Sequence, residues 1–179
     1  VNINGPRSCY DEGKRMAETI FFNYRDNYDI DIRIARIFNT YGPNMENNDG
    51  RVISNFILQA LKGEDITIYG DGKQTRSFCY IDDMINGLTL LMNSNFSNPM
   101  NLGNDNEFSI HETAEKIINL TNSKSKIVFK DFPENDPLKR KPDLSLAKRK
   151  IKYNSKVTFS SGLEKTIVYF EEKLKVNNG

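Results

Sequence analysis

The sequence predicts an α/β protein, because segments with the periodicity of helices alternate with short strand-like segments along the whole chain. Apolar residues recur at helical spacing in 16–24 and again in 52–61, whereas 30–38 alternates apolar and charged residues as a strand does. A length of 179 residues with 37% hydrophobic content is enough to bury one sizeable core. We therefore expect mixed helices and strands amounting to one domain or one and a half.

The start of the chain is predicted to form a helix, a strand and a loop, in that order. Ser8 can cap a helix of about four turns that follows the break at Gly5-Pro6. The strand at 30–38 leads into Asn39-Thr40-Tyr41-Gly42-Pro43, which we interpret as a turn, and then into a polar loop at 44–50. Ligands gather at loops that follow strand ends, so the turn at 39–43 is a candidate site.

The helical stripe at 52–61 is predicted to end at Gly63, and a hairpin follows, from strands at 66–69 and 75–81 separated by the turn Gly70-Asp71-Gly72. The remaining predicted elements are a helix capped by Asp82 and running to about Met92, a strand at 100–103, a helix at about 109–120, a strand at 126–130, a helix at 145–151 and a terminal helix from Ser161. Ser109 and Glu112 have the spacing of a capping box at the start of their helix.

Composition excludes several classes of function. Lys and Arg number 25 and Asp and Glu 24, a net charge of +1, so no general electrostatic field would attract nucleic acid. No apolar run approaches the length of a membrane span, and no signal-peptide pattern is present. Two cysteines and one histidine offer neither a disulfide framework nor a metal cluster. We expect a cytoplasmic protein that binds no metal, nucleic acid or membrane.

Tyr10 and Lys14 are the first candidate catalytic residues, because they lie one helical turn apart near the start of the first predicted helix. A lysine ammonium beside a phenol favours the phenolate, which can exchange a proton with an alcohol. The pair therefore indicates alcohol–ketone redox chemistry. Tyr-x-x-x-Lys also occurs across the glycine turn at 70–72 and in the last helix, where the context is unsuitable, and an ordinary surface pair is the alternative interpretation.

Arg76 and Arg140 are candidate ligands for a diphosphate, because a guanidinium group can donate two parallel hydrogen bonds to a phosphate. Arg76 lies in the second strand of the predicted hairpin, and Arg140 lies in the basic segment 139–141 between two prolines. Two such arginines could clamp a diphosphate if the fold brings them together. The alternative is that 139–141 is a solvated run of charge.

The motifs that cradle nucleotide phosphates are absent from the 179 residues. Neither G-x-G-x-x-G nor G-x-x-x-x-G-K-[ST] occurs. The chain begins with valine and opens almost directly on the candidate catalytic helix. We therefore expect further sequence upstream that holds most of any nucleotide cofactor.

Six motifs occur in order along the chain and together carry a resemblance to a known family. They are GPRSCYDEGKR, RIARIFNTYGP, DGRVISNF, YGDGKQTRSF, NLGN and DPLKRKPD. In this order they resemble the C-terminal half of the UDP-glucuronate decarboxylases, or UDP-xylose synthases, within the extended short-chain dehydrogenase/reductase superfamily of NAD-dependent epimerases and dehydratases. YDEGKR and KRKPD favour the decarboxylase branch. The tyrosine–lysine pair, N-x-Y-G-P and the hairpin arginine are shared with sugar-nucleotide epimerases and 4,6-dehydratases.

The resemblance implies the C-terminal part of an NAD(P)-binding Rossmann-like fold joined to a small α/β substrate-binding domain. Residues 1–45 would be the remnant of the Rossmann domain, and residues 46–179 would form mainly the sugar-nucleotide-binding domain, with some segments returning to the Rossmann sheet. NAD would be the cofactor, a UDP-sugar the substrate, and a homodimer would form through the Tyr10 helix. The isolated chain would be inactive, because the glycine-rich loop and the residues that assist the tyrosine lie upstream in this family.

The resemblance also implies roles for individual residues. Tyr10 would be the catalytic acid/base, and Lys14 would favour its phenolate. Both residues would also contact NAD, at the nicotinamide ribose. The implied substrate-binding residues are Asn39, Arg51, Ile66, Tyr69, Arg76 and Arg140. Arg76 and Arg140 would bind the diphosphate, with Arg140 also acting on the reacting carboxylate, and 66–69 would line a uracil pocket.

The implied reaction converts UDP-glucuronate to UDP-xylose. Tyr10 would take the C4 hydroxyl proton while hydride leaves for NAD, which gives a 4-keto sugar whose C6 carboxylate lies β to the ketone. Loss of carbon dioxide leaves an enolate that nearby cations stabilise, and after its protonation the returned hydride yields UDP-xylose and regenerates NAD. Two alternatives stay open: a 4,6-dehydratase or 4-epimerase of the same superfamily, and a non-catalytic binding or dimerisation module.

Overall fold

The computed structural model describes residues 4–5, 8–47, 49–132 and 137–177, and within these ranges six helices and nine strands alternate along the chain. The helices are α1 (Ser8–Tyr28), α2 (Val52–Lys62), α3 (Ile81–Met92), α4 (Ile110–Thr121), α5 (Ser145–Ile151) and α6 (Phe159–Asn177). The strands are β1 (Ala35–Ile37), β2 (Thr40–Tyr41), β3 (Ile66–Tyr69), β4 (Thr75–Ser77), β5 (Cys79–Tyr80), β6 (Met100–Leu102), β7 (Glu107–Ser109), β8 (Ile127–Lys130) and β9 (Lys139–Arg140). The predicted α/β class is confirmed. Of the predicted segments, Pro6, Arg7, Asn48 and Asp136 lie outside the described residues.

The strands form four small sheets in which parallel pairing predominates. β1 pairs with β6, β2 with β5 and β3 with β8, all in parallel, and β4 lies between antiparallel β7 and parallel β9. Parallel neighbours require crossover connections, which here contain the helices. The pairing therefore brings together strand ends that are far apart in the sequence.

Two clusters of buried apolar side chains hold the helices against the strands. The larger cluster joins α2, α4 and α6 to β3 and includes the fully buried Ile57, Leu163 and Phe170. The smaller cluster joins α3 and α5 to β6 and includes Met84 and Leu102. Each fully buried side chain of this kind stabilises the fold by about 1.5–3 kcal/mol relative to exposure. Together the two clusters fix the strands whose ends carry the candidate site.

Two predicted helix boundaries are confirmed in detail. The Ser109 hydroxyl accepts a hydrogen bond from the Glu112 backbone N–H at 3.0 Å, and the Glu112 carboxylate accepts one from the Ser109 N–H at 2.8 Å. This capping box starts α4, and the bond from the Ser109 N–H lowers the pKa of Glu112. α2 ends at Gly63, whose φ of 71° is the left-handed conformation that glycine adopts without strain.

The predicted hairpin at 66–81 is wrong. β3 pairs with β8, whereas β4 pairs with β7 and β9. Gly70 and Gly72 both have positive φ, and the Gln74 side chain donates a hydrogen bond at 2.6 Å to the carbonyl at the end of β3. The glycines therefore redirect the chain into a separate sheet instead of reversing it onto β3.

Several predicted boundaries also move. The strand predicted at 30–38 is limited to β1, and the strand predicted at 75–81 is divided at Phe78, whose ring packs into the larger core.

Tyr80 is the N-cap of α3, so that Asp82 lies in the first turn, where a carboxylate complements the positive end of the helix. Ser8 is itself the first residue of α1, and its hydroxyl donates to the Gly5 carbonyl at 2.6 Å. α6 begins at Phe159 and not at Ser161.

Asp83, in the first turn of α3, is a buried carboxylate that ties this helix to the loop before α6. The backbone N–H groups of Lys156 and Val157 donate to it at 3.0 and 2.9 Å. Hydrogen bonds to a charged acceptor are stronger than neutral ones, and the loss of this carboxylate would also leave a buried site without its polar partner groups. The sequence carries no local signal for this role of Asp83, because its partners lie in a distant segment.

We expect Asp83→Ala to lower the free energy of unfolding by about 3 kcal/mol, because it removes these charge-assisted bonds. Urea denaturation of the protein measures the change. Asp82→Ala is the matched control, since Asp82 is exposed and interacts mainly with the helix end, which is worth less than about 1 kcal/mol. Equal losses in the two variants would contradict the prediction.

Candidate active site

Tyr10 and Lys14 lie on one face of α1. The Tyr10 side chain is 63% exposed, and the Lys14 Nζ lies 5.5 Å from the centre of the Tyr10 ring. α1 contains no buried residue. The phenol and the ammonium are therefore both open to a ligand that approaches this face of the helix.

α1 is held to β1 by an ion pair between Glu18 and Arg36. The Arg36 Nε and Nη2 donate to the two Glu18 carboxylate oxygens at 2.7 and 2.6 Å. The hydrogen bonds from Arg36 lower the pKa of Glu18, and the same bonds raise the pKa of Arg36. Sequence analysis missed this pair, because the alternation in 30–38 marks Arg36 only as a charged strand position and no local pattern links it to Glu18.

Asn39 lies two residues beyond the end of β1, directly before β2, and is half-buried. Its backbone carbonyl accepts a hydrogen bond from the Cys79 N–H at 2.8 Å, which extends the pairing of β2 with β5 by one residue. The Cys79 thiol is fully buried and lies 3.5 Å from the Tyr153 hydroxyl. Burial raises the pKa of Cys79 to about 11, so this thiol is a packing group and not a nucleophile at neutral pH.

The two candidate diphosphate ligands lie side by side. Arg76 in β4 and Arg140 in β9 are partners in the parallel register, so their side chains leave the same face of the sheet. Arg76 is only 7% exposed, and its Nη1 donates to the Thr75 and Leu138 carbonyls at 2.8 and 3.4 Å. Arg140 is half-buried. The fold thus satisfies the condition that the two arginines be close in space.

The lysines that flank Arg140 face the other way. Lys139 and Lys141 each lie 3.3 Å from the Glu107 carboxylate and are largely exposed. A hydrogen bond from the Thr75 hydroxyl and the two lysines lower the pKa of Glu107. The interpretation of 139–141 as a solvated run of charge therefore applies to the two lysines, whereas Arg140 lies on the face of Arg76.

Tyr69 and Ile66 differ in environment, although both were expected at a uracil pocket. Tyr69 is 50% exposed and ends β3 beside a cavity of about 490 Å³. The cavity is lined by Gly70, Asp71, Phe129, Lys130, Asp131 and Phe132. The Ile66 side chain is fully buried in the larger core, because alternate residues of a strand face opposite sides. The Ile66 side chain therefore does not line that cavity, and a role for Ile66 at a uracil pocket stays a prediction.

Arg51 is the N-cap residue of α2 and is exposed. Its Nε lies 3.4 Å from the Asp49 carboxylate, which also accepts hydrogen bonds from the Arg51 N–H and the Ser54 hydroxyl. These contacts hold the start of α2. They leave the guanidinium of Arg51 at the surface, at the end of the polar loop 44–50.

Two kinds of feature are absent from the described ranges: groups of metal ligands and helices that could span a membrane. There, no group of three or more His, Cys, Asp or Glu side chains could hold a metal ion. Nor is any described helix long and apolar enough to cross a membrane.

Comparison with curated proteins gives close relatives over most of the chain. UDP-glucuronic acid decarboxylase 1 of Xenopus tropicalis is 52% identical over 175 residues, which are 98% of this chain and 42% of that protein. UDP-glucuronic acid decarboxylase 3 of Arabidopsis thaliana is 52% identical over 163 residues, which are 91% of this chain and 48% of that protein. The chain thus spans slightly less than half the length of these relatives.

Solved structures with the same fold are known. The UDP-glucuronic acid 4-epimerase of Bacillus cereus, in complex with UDP-glucuronic acid and NAD, matches 94% of this chain and 54% of its own, with a TM-score of 0.87 and 29% identity. The UDP-glucose 4-epimerase of Thermotoga maritima, with UDP-glucose, matches 92% of this chain and 54% of its own, with a TM-score of 0.89 and 26% identity. These matches confirm the Rossmann-like class predicted for the fold.

A family model matches residues 2–103, which are more than half of the chain. This stretch contains the Tyr10 helix, β1 with Asn39, and β4 with Arg76, so the match covers most of the candidate site. The chain belongs to the NAD dependent epimerase/dehydratase family.

Proposed function

We propose that this chain provides the nucleotide-sugar-binding half of an NAD-dependent enzyme that converts UDP-glucuronate to UDP-xylose through a 4-keto intermediate. The observation that carries the choice of reaction is the contrast in identity. The chain is 52% identical to a UDP-glucuronic acid decarboxylase over 98% of its length, but only 26–29% identical to the two 4-epimerases. Decarboxylation is therefore favoured over epimerisation within the family.

The arginine pair supports the binding of a sugar diphosphate. Arg76 and Arg140, adjacent in register, would place two guanidinium charges beside the diphosphate of the substrate. Arg140 would also supply positive charge near the carboxylate that leaves as carbon dioxide. Tyr69 and the neighbouring cavity of about 490 Å³, with its two phenylalanines, would receive the base. Arg51 and Asn39 would complete the set of substrate contacts.

Tyr10 and Lys14 fit the nicotinamide-ribose end of NAD. Their exposed phenol and ammonium groups can donate hydrogen bonds to ribose hydroxyls. NAD, when bound, would accept the hydride from C4 of the sugar and return it later. The Tyr10 hydroxyl would hold the proton of the C4 hydroxyl group, and the Lys14 ammonium would favour the phenolate that receives it. We assign only this end of NAD to the chain, since neither phosphate-cradling motif occurs in its 179 residues.

The division of the chain and its assembly are part of the proposal. Residues 1–45 would belong to a Rossmann domain and 46–179 mainly to the substrate domain. β6 lies in the second range and pairs with β1 in the first, which supports the expectation that some segments of 46–179 return to the Rossmann sheet. The exposed apolar side chains of Met16, Ile20 and Phe21 on α1 support a homodimer through this helix. The same surface favours a dimerisation module as the second candidate function.

The test is an assay of the complete polypeptide that carries this chain, with UDP-glucuronate and NAD. Carbon dioxide release and the sugar product are followed together. UDP-xylose formed in step with carbon dioxide is the expected result. Formation of a 4-epimer of UDP-glucuronate without carbon dioxide would identify the protein as an epimerase. Dehydration of a dTDP- or UDP-hexose would identify it as a dehydratase. Dimerisation without turnover of any of these substrates would favour the non-catalytic module.

A further inference from the structure

Three side chains spaced by four residues form a stripe along α1: Tyr10, Lys14 and Glu18. Each step of four residues turns about 40° around a helix, so the stripe stays within about 80° of the helix surface. Glu18 is the member of the stripe that is fixed to another element, because Arg36 binds both of its carboxylate oxygens. The orientation of Glu18 toward β1 therefore sets the direction in which Tyr10 and Lys14 point.

The distances along the two elements match. The connection at 29–34 is short, and Arg36 contacts Glu18 well before the end of α1, so β1 runs back along the helix. From the ion pair, Tyr10 lies eight residues, or about 12 Å, toward the start of the helix. Asn39 lies three residues, or about 10 Å, in the same direction along the strand. The ion pair thus brings Tyr10 and Asn39 to about the same level.

We propose that the ion pair between Arg36 and Glu18 is a positioning device for the catalytic helix. It sets the rotation and the height of α1 relative to β1, and thereby aims Tyr10 and Lys14 at the sugar held beside Asn39. The inference rests on the proposed function, since it assigns the pair a role in that same site.

The form of the ion pair supports a geometric role over a purely stabilising one. The Arg36 side chain is 53% exposed and the Glu18 side chain 24%, and ion pairs so accessible to water contribute little to stability. The two parallel hydrogen bonds nevertheless fix the plane of the guanidinium against the carboxylate, which a single bond or a lysine would not do. No residue of α1 is fully buried, so within this chain the two-pronged contact with Arg36 is a specific constraint on the rotation of the helix.

The experiment compares variants of the ion pair in the complete polypeptide with UDP-glucuronate and NAD. We expect Glu18→Gln and Arg36→Lys each to lower kcat by about tenfold or more, with KM within about twofold and an unchanged Tm, because small misplacements of reacting groups cost large factors in rate. The exchanged pair Glu18→Arg with Arg36→Glu should restore kcat to within about threefold of the wild type. Asp26→Asn is the matched control, since it removes an ion pair with Arg25 that lies within α1 and ties it to no other element.

Two kinetic outcomes would overturn the proposal. If Arg36→Lys keeps the wild-type kcat, positive charge alone suffices and the two-pronged geometry has no role. If Glu18→Gln lowers Tm in step with kcat, the ion pair stabilises the fold and does not position the helix. The same conclusion follows if the exchanged pair restores neither kcat nor Tm. Failure of the wild type to decarboxylate UDP-glucuronate would count against the proposed function instead, and the same variants would be compared on whichever nucleotide sugar it converts.

A measurement that needs no turnover tests the positioning role of the ion pair independently of the proposed function. With 3-fluorotyrosine at position 10, ¹⁹F NMR of the wild type should give one sharp resonance. Glu18→Gln should broaden or divide it, because the helix face is no longer fixed. A resonance that is the same in both proteins would overturn the positioning role whatever the substrate.

Discussion

Tyr10→Phe is expected to lower kcat for the decarboxylation of UDP-glucuronate by about 10³-fold, with little change in KM. General acid–base catalysis by a placed side chain contributes about 10²–10⁴-fold, and phenylalanine removes the hydroxyl while it keeps the ring. The 63% exposure of Tyr10 means that its hydroxyl supports no buried hydrogen bond of this chain whose loss would disturb the fold. Steady-state kinetics of the complete polypeptide, with carbon dioxide and UDP-xylose measured together, give the result.

Tyr24→Phe is the matched control for this prediction. Tyr24 lies on the same helix, is 51% exposed and contacts the ring of Tyr28. It lies nearer the C-terminal end of the helix than Lys14 does. Its loss of a hydroxyl should leave kcat unchanged. A Tyr10→Phe enzyme that keeps more than a tenth of the wild-type kcat would remove Tyr10 from the chemistry and would favour the surface-pair interpretation of Tyr10 and Lys14.

Features of the fold that depend on neighbouring residues were predictable from the sequence. The capping box of Ser109 and Glu112 and the end of α2 at Gly63 are set within a few residues, and the structure has both. The hairpin at 66–81 failed for the opposite reason. Whether two strands separated by glycines pair with each other depends on competing partners, and β8 and β9 come from far along the chain.

The candidate site shows the same division between local and distant contacts. The shared face of Tyr10 and Lys14 follows from helical spacing alone. The approach of Arg76 to Arg140 could be stated as a requirement, but only the parallel pairing of β4 with β9 supplies it. The ion pair of Glu18 with Arg36 carries no local signal at all. Its two residues are ordinary charged positions until the strand folds back along the helix.

Ile66 shows that the residues of one segment, 66–69, differ in whether their side chains can reach a ligand. β3 ends beside the cavity at Tyr69, which agrees with a role for 66–69 near that cavity. Strand alternation sends Ile66 and Ile68 into the core, whereas Tyr69 faces outward. A motif therefore has to be combined with the burial of each residue before its side chains are given roles.

Arg140→Met is expected to weaken the binding of UDP by about 30- to 100-fold. Hydrogen bonds from a charged donor are worth about 1.5–3 kcal/mol, and methionine keeps most of the length of the side chain without any donor. Arg140→Lys should recover only part of the loss, because an ammonium cannot donate in the fork geometry. Titration calorimetry with UDP measures the affinity without any catalytic step. Arg140 is preferred to Arg76 for this test, because Arg76 is buried and bonded to two backbone carbonyls, so its loss would also affect folding.

Lys139→Met provides the comparison that decides between the two interpretations of the basic segment. Lys139 neighbours Arg140 in the same strand and carries the same charge, but its side chain pairs with Glu107 on the opposite face of the sheet. If the arginine pair binds the diphosphate, Lys139→Met should change the affinity for UDP by no more than about threefold. If 139–141 attracts nucleotides only through its general positive charge, the two variants should lose similar affinity, and both losses should diminish as salt screens the charges. A large loss confined to Arg140→Met, and retained at 0.5 M salt, would then follow from direct contact with the phosphates.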